Sequence, residues 1–348
     1  MMRRALRGAA LVLLLVLLLP EVAFSEEAVS TEGEKVAANA DREKEAAALA
    51  AASKQYILLR RDQFEVENSI FYSHYSANQI YLQSFAILDP VFLTLGQFGI
   101  QSAKRDIFIY NLAGRYGILE NLQLDVNLPY VYRHDLITTT GSGANGVPDT
   151  TLDRNSMGDI SAGLSYQPIS ETDSRPGVIL TMAYKSATGK SPFKIDPATD
   201  VPTGTGYQSI KGGVNLIKSV DPIVVFGGMA YAYNMPLGGL NQTVTSVTGA
   251  TGTLRSVRPG DTVTLNIGLA YALSYKFALN FQFQQDYTFS SVANGRRVPN
   301  TVLNSALLKI GAGWSLSPNM ALNISVAAGL TTDSPDFILE IRLPLILF

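Results

Sequence analysis

The chain has 348 residues, of which only 16% are charged, with 27 Lys and Arg against 29 Asp and Glu and a formal net charge of -2. A typical globular protein has about 25% charged residues. The absence of cysteine excludes disulfides, thiol catalysis and cysteine-ligated metal sites, and two histidines leave little for a histidine-based metal centre. Because nucleic-acid binding favours a basic surface, we expect no nucleic-acid partner, and we expect no cofactor.

Residues 1–25 have the pattern of a secretory signal peptide. Three arginines in residues 1–7 precede an apolar run at 9–19, and a triplet with small outer residues follows at 23–25. The apolar run is shorter than the roughly 20 residues that a membrane-spanning helix needs. The pattern predicts export and removal of residues 1–25.

Residues 26–61 form a second region, rich in Ala, Glu and Lys, with strong helix propensity over 37–53. A seven-residue spacing of apolar positions runs through this region but is interrupted at Glu43. Two interpretations remain open. The segment is a short helix that oligomerises or plugs the rest of the protein, or it is a solvated periplasmic tether.

From residue 62 to residue 348 the hydrophobic period changes to two, which is typical of β-strands. The clearest case is 277–289, where Phe277, Leu279 and Phe281 begin a series of apolar residues that alternate with Ala, Asn, Gln and Thr. Strands of soluble proteins usually have about five or six residues. Membrane-spanning strands need about 9–11, with an apolar outer face and aromatic residues at both ends.

The alternation predicts twelve strands, with ten or fourteen as alternatives. The predicted strands are 62–75, 104–116, 120–133, 157–167, 177–187, 205–218, 221–233, 261–275, 277–289, 303–316, 318–331 and 335–348. Long connections alternate with tight turns, as in outer-membrane barrels with short periplasmic turns and periplasmic termini. We therefore predict an all-β fold, a single transmembrane antiparallel β-barrel at 62–348 in the bacterial outer membrane, preceded by a short helical segment. The stretch 76–103 contains apolar runs that could extend the first hairpin or form a lid.

Eleven charged residues are predicted to line the lumen, because they alternate with the apolar outward positions. They are Glu65, Glu67, Arg115, Asp125, Arg133, Lys185, Lys211, Asp286, Lys309, Glu340 and Arg342. The five acids and six bases nearly balance, so the set favours neither cations nor anions. Either these charges line a hydrated conduit or they pair across a narrow lumen and fill it. Small residues on the predicted inner face of 221–331 leave space for a solute or a docked segment.

Other chemistry has little support in the sequence. His74 and His134 fall near the predicted outer rim, where solvated loop histidines are expected. No Ser, His and acid constellation can be placed, so we expect no enzyme activity.

Five short segments resemble the outer-membrane transporter family of the phenol-degradation meta-pathway. They are Phe64–Glu67, Ser69–Ser73, Arg115–Ile118, Leu122–Leu124 and Leu128–Tyr130. Together with the helical preface, the pattern is also similar to functional-amyloid export channels of the FapF type. The resemblance implies an outer-membrane channel, with a homotrimer formed through the N-terminal helix as one arrangement. It moves either small organic molecules inward or unfolded amyloid subunits outward.

The C-terminal strand ends in Phe348, as signals for the barrel-assembly machinery do. The apolar set before it is offset by one residue, at Leu347, Leu345 and Leu343. Either a bulge at Pro344 resets this register or the signal is imperfect. The expected partners are this machinery, outer-membrane lipid and lipopolysaccharide. The leading functional prediction is a channel for small polar or organic solutes; the alternatives are a secretion channel for an unfolded protein and a structural barrel with an occluded lumen.

Overall fold

The computed structural model describes residues 58–80, 100–139, 150–195, 199–245, 251–299 and 301–348. Among them, no helix is long and apolar enough to cross a membrane. The predicted signal peptide at 1–25 lies outside the described residues. So does the predicted helical segment, except for residues 58–61, which are not helical.

Strands dominate the described chain. Those of the main sheet are β1 Phe64–Ile80, β2 Ile100–Leu119, β3 Leu122–Thr139, β4 Thr150–Met157, β5 Ser161–Ile169, β6 Gly177–Lys185, β7 Ser209–Val220, β8 Ile223–Asn234, β12 Thr262–Ser274, β13 Phe277–Thr288, β16 Leu303–Ser317, β17 Met320–Gly329 and β18 Phe337–Ile346. Smaller strands in the connections are β9 Gln242–Thr245, β10 Thr251–Leu254, β11 Val257–Arg258, β14 Val292–Ala293 and β15 Arg296–Arg297.

The main sheet closes on itself. Its order is β2-β1-β18-β17-β16-β13-β12-β8-β7-β6-β5-β3, and β3 pairs back to β2. The thirteenth strand, β4, pairs with the part of β3 beyond β5, so β4 and β5 share one position in the wall. The result is a closed antiparallel barrel with twelve strand positions, as the sequence predicts.

Side-chain alternation sets the two faces of the barrel. On β2, Phe108, Tyr110 and Leu112 are exposed, whereas Ala113 and Arg115 are buried. Successive residues of a strand point to opposite faces, so the apolar set is on the outside and the polar set on the inside. This arrangement is the reverse of a soluble barrel and is typical of a wall that faces lipid.

The barrel has a short-turn end and a long-loop end. At the short-turn end, two-residue turns join β2 to β3, β7 to β8, β12 to β13 and β16 to β17. Both the start of β1 and the end of β18 lie there, since Glu65 pairs with Ile346. The alternation of short turns and long loops is therefore confirmed. The placement of the termini in the periplasm stays a prediction.

The first three strands are longer than predicted. β2 and β3 pair as far as Ile100 opposite Thr139, and all of β4 except its last residue, Met157, lies in the predicted connection 134–156. Near these ends the strands carry polar residues on both faces, so the alternation that marks a lipid-facing strand is lost. The first hairpin is likewise extended to Ile80 and Ile100, while residues 81–99, and with them the predicted lid, lie outside the described residues.

The last strand keeps an uninterrupted register with β1 across Pro344, from Ile346 opposite Glu65 to Phe337 opposite His74. The bulge expected at Pro344 is therefore absent from this pairing. The offset apolar set faces outward without it. Pro344 lies opposite Glu67 with no register shift.

Candidate functional site in the barrel lumen

The structure places all eleven predicted lumen residues at inward positions of their strands, alternate to exposed apolar residues. On β7, for example, Lys211 shares its face with the buried Asn215, while Val214 and Leu216 are exposed on the other face. The eleven side chains do not form one ring. They lie in several layers, and the contacts among them divide the lumen into distinct parts.

The first part is a charge cluster at the short-turn end. Glu65, Arg115 and Asp125 lie side by side on β1, β2 and β3. Arg115 Nη1 donates to Glu65 Oε1 at 3.0 Å, and Arg115 Nε lies 3.4 Å from Asp125 Oδ1. Arg115 and Glu65 are both buried. The charge-assisted hydrogen bond to Glu65 and the ion pair with Asp125 hold the guanidinium in place, so this cluster fixes one side of the inner wall.

Gln123 connects this cluster to the chain that precedes β1. Its Oε1 accepts from the backbone N–H of Leu59 at 2.8 Å and from Arg115 Nη2 at 3.2 Å, and its Nε2 donates to Asp125 at 2.7 Å. Leu59 is buried. A Cβ on Gly117 would come 2.0 Å from the carbonyl oxygen of Arg60, so only glycine allows this approach. The segment 58–62 is thus held against the inner face at the short-turn mouth.

A second charge cluster lies on the same strands toward the long-loop end. Arg133 donates to both oxygens of Asp135, at 2.9 and 2.7 Å, and Arg105 Nε lies 3.4 Å from Asp135. All three side chains are buried. Arg105 and Asp135 were not among the predicted lumen residues. Both have the inward parity of Arg115 and Asp125, but the predicted strand ended at residue 133, before Asp135.

The connection 186–208 between β6 and β7 packs against a break in the wall. β4 ends at Met157 and β5 begins at Ser161. Of these two strands, only β5 pairs with β6. Within this break, the Asp159 carboxylate accepts from the N–H of Gly189 at 3.0 Å, from the N–H of Thr205 at 2.8 Å and from Lys185 Nζ at 2.9 Å. One carboxylate therefore fastens both ends of the connection to the wall. Asp159 is not among the predicted lumen residues, although it lies at an inward position of the predicted strand 157–167.

Asp200 holds the middle of the same connection. It forms ion pairs with Arg154 at 2.5 Å and with Lys190 at 2.6 Å. Burial raises the pKa of the Asp200 carboxyl, but hydrogen bonds from Lys190 and Arg154 outweigh it, so the pKa is lower than that of an ordinary aspartate. Arg133 Nη1 also donates to the carbonyl of Pro202 at 3.4 Å. The connection is thereby coupled to the second charge cluster.

The remaining predicted residues are more dispersed. Glu340 and Arg342 lie 3.7 Å apart on β18. Asp286 accepts from Thr264 at 2.6 Å and from Gln284 at 2.8 Å. Lys211 is exposed, between Ala183 and Ala232 on the neighbouring strands, and forms no ion pair with a described residue. The other members, Glu67, Lys185 and Lys309, also lie on the inner face; Glu67 is buried.

The opposite side of the lumen carries an apolar surface. It consists of six packed, buried residues at inward positions: Ile217, Val224, Phe226, Ala270, Ala272 and Ala278. A Cβ on Gly268 would come 2.6 Å from Phe226 Cε2, so the Phe226 ring lies over a glycine on the next strand. The predicted inner wall of small residues is therefore partly filled. Phe226 is not predicted from the sequence, because Gly228 and Ala230 on the same face of this strand indicate open space.

Both histidines lie in strands, whereas the sequence places His74 at the end of a strand and His134 in a loop. His74 Nδ1 lies 2.7 Å from Asp106 and His134 Nδ1 lies 2.5 Å from Asp153. Cross-strand pairing joins all four residues in one outward-facing row across β1 to β4. Within the described ranges, no three His, Asp or Glu side chains are arranged to hold a metal ion.

Comparison with known proteins supplies the family. Residues 108–343, from β2 to β18, match the family model described as "Putative MetA-pathway of phenol degradation". The chain belongs to this family. The predicted resemblance to it is confirmed, whereas the relation to functional-amyloid export channels stays a prediction.

The fold is also found in solved structures. The chain is similar to an outer-membrane channel from Pseudomonas putida F1, with 12% sequence identity, a TM-score of 0.58, and coverage of 85% of this chain and 99% of that chain. The toluene transporter TodX of Pseudomonas putida is more distant, with 11% identity, a TM-score of 0.39, and coverage of 86% and 90%. Similarity at such low identity shows the fold alone. The family member described here therefore has the fold of an outer-membrane β-barrel.

Proposed function

We propose that the protein is an outer-membrane channel that passes small organic solutes through an amphipathic lumen. The observation that carries this proposal is the division of the inner wall. Ion pairs line β1 to β3, while a packed apolar surface lines β7, β8, β12 and β13. An aromatic or aliphatic molecule with one polar group can contact both surfaces at once. Membership of a family associated with phenol degradation supports this class of solute.

In this proposal the long loops face the outside of the cell and the short-turn end faces the periplasm, as in other outer-membrane barrels. The segment 58–62 then lies at the periplasmic mouth. Its contacts with Gln123 and Gly117 hold residues 58–62 at this mouth, and we propose that the preceding residues 26–57 act as a plug. A tether that leaves the mouth open is the alternative. No contact among the described residues favours export of an unfolded protein.

The first experiment compares single-channel conductance of residues 26–348 with that of a truncation that begins at Gln63. Larger conductance of the truncation is expected if the preceding segment plugs the periplasmic mouth. Equal conductance of the two proteins means that the segment is a tether. If neither protein conducts ions or admits solutes into liposomes, the channel proposal is wrong and the barrel is structural.

The second experiment tests the solute class with Phe226→Gln. We expect slower uptake of phenol or benzoate into liposomes, with ion conductance unchanged or larger, because the apolar contact is lost while the polar wall remains. Lys211→Gln is the matched control, since Lys211 lies on the inner face outside the apolar surface. Equal uptake of aromatic solutes by Phe226→Gln and the unmodified protein would contradict the amphipathic lumen. Trp314, the single tryptophan, reports whether each variant is folded.

A further inference from the structure

Four arginines are exposed in the connections at the long-loop end: Arg255, Arg258, Arg296 and Arg297. The sequence has no Asp or Glu between residues 222 and 260, nor between 287 and 332. The only ion pair of this group among the described residues joins Arg258 to Asp261, at 3.7 Å. Asp261 is mostly buried and also accepts from the Tyr231 hydroxyl and from the N–H of Asn234. The surface is therefore strongly cationic.

Two of these arginines share one face of a small sheet. Arg258 on β11 lies opposite Val292 on β14, which lies opposite Arg297 on β15. Directly opposed residues point to the same face, so Arg258 and Arg297 flank Val292 about 10 Å apart. The other face carries the buried Val257, which packs with Phe193 and Leu254, and the partly buried Ala293. The Arg258–Val292–Arg297 row is thus fixed in position by an apolar core beneath it.

An aromatic belt places this row at the level of the membrane surface. The Arg258 guanidinium lies 5.7 Å from the ring centroid of Tyr233, an outward residue of β8. Tyr231, Tyr287 and Phe289 are exposed on the same part of the wall. Tyr233 is ten residues along β8 from Ile223 at the short turn, which is roughly 25 Å along the axis of a tilted barrel. This distance matches the apolar band of an outer-membrane barrel, so Arg258 lies just beyond its edge.

We propose that Arg258 and Arg297 bind the phosphate groups of lipopolysaccharide in the outer leaflet, with its acyl chains against the aromatic belt. The inference rests on the proposed orientation, in which the long loops face the cell exterior. Arginine suits this role because its planar guanidinium forms paired hydrogen bonds with a phosphate. The Tyr233 ring below holds the Arg258 guanidinium toward the wall rather than the solvent. Val292 between the two arginines offers an apolar contact to the same lipid.

The test measures binding of diphosphoryl lipid A to the full-length protein in nanodiscs. The variant Arg258→Gln/Arg297→Gln is compared with Arg61→Gln/Arg175→Gln, which makes the same change of charge at exposed arginines of the short-turn end. We expect affinity to fall about tenfold for each arginine of the row, the effect of losing one charge-assisted hydrogen bond. The control variant is expected to keep full affinity. The fluorescence of Trp314, near the short-turn end of β16, checks the fold of each variant.

Three results would overturn the inference. One is an unchanged affinity in Arg258→Gln/Arg297→Gln, and another is an equal loss in the control. The third is displacement of lipid A by millimolar inorganic phosphate alone, which would assign the row to free phosphate. Weaker binding of dephosphorylated lipid A supports the phosphate contact. Conductance is measured on the same samples: a silent barrel that still binds lipid A through the row would refute the channel proposal and leave this inference standing.

Discussion

Removing Arg115 is expected to destabilise the barrel more than removing any other single lumen cation outside the second charge cluster. Arg115→Met deletes the hydrogen bond to Glu65 and the contact with Asp125, and leaves a buried carboxylate without its cation. Breaking a buried ion pair from one side costs about 3–5 kcal/mol. Because the Asp125 side chain is 25% exposed and can regain water, we expect the lower end of the range, about 3 kcal/mol.

Urea unfolding of the protein in lipid vesicles, followed by Trp314 fluorescence, measures this loss. Lys211→Met is the matched control, since Lys211 is exposed and is expected to change the free energy of unfolding by less than about 0.5 kcal/mol. Adding Glu65→Gln to Arg115→Met removes the unpaired charge and should restore about 1 kcal/mol or more. A loss below about 1 kcal/mol in Arg115→Met, or no recovery in the double variant, would refute a tightly coupled cluster.

Three further predictions concern the connection 186–208 and the segment 58–62. Asp159→Asn weakens the ion pair with Lys185, so limited proteolysis within 186–208 should be faster. The control Asp173→Asn, in an exposed turn, should be cleaved within 186–208 at the same rate as the unmodified protein. Since the pKa of Asp200 is lowered in the folded protein, its contribution is complete above the ordinary aspartate pKa of about 3.9 and is lost as the pH falls through the lower folded value. Hydrogen exchange in 199–205 should therefore accelerate below about pH 4 relative to Asp200→Asn, and parallel pH profiles would contradict this. Gly117→Val should displace 58–62, so the Leu59 amide, which donates to Gln123, should exchange its hydrogen faster; an unchanged rate would contradict this.

The outer face could be predicted from the sequence because lipid imposes a rule on every strand. Each second residue must be apolar over about ten positions, and β13 follows this rule almost throughout. The rule weakens where strands extend beyond the membrane, which is why the sequence does not predict the long-loop ends of β1 to β3 or nearly all of β4. The Phe226 surface lacked a signal for another reason. Inward positions tolerate polar, small and apolar residues alike, so the sequence pattern does not distinguish an apolar residue that packs in the lumen from one that has no role there.

Contacts between lumen side chains depend on register, which the sequence specifies unevenly. The Glu65–Arg115 pair cannot be predicted from the sequence, since the connection between β1 and β2 is long and no turn geometry fixes the register of the two strands. The two-residue turn between β2 and β3 is more informative. The turn places Leu119 opposite Leu122. If the two strands paired from there without a register shift, Arg115 would lie opposite Val126, which is an outward residue. A one-residue slip of this kind reverses every side chain of the strand.

The inward parity of both Arg115 and Asp125, already visible in the alternation, therefore requires one extra residue near the turn. The structure has it: the register shifts between Gly117 and Leu119, and Arg115 then faces Asp125. Gly117 is also the residue that admits the Arg60 carbonyl at 58–62. The register shift that places Arg115 opposite Asp125 thus coincides with the contact that holds the segment 58–62 at the short-turn mouth. Arg115 and the segment before β1 are expected to act as one unit, so a change at either should alter the stability of the other.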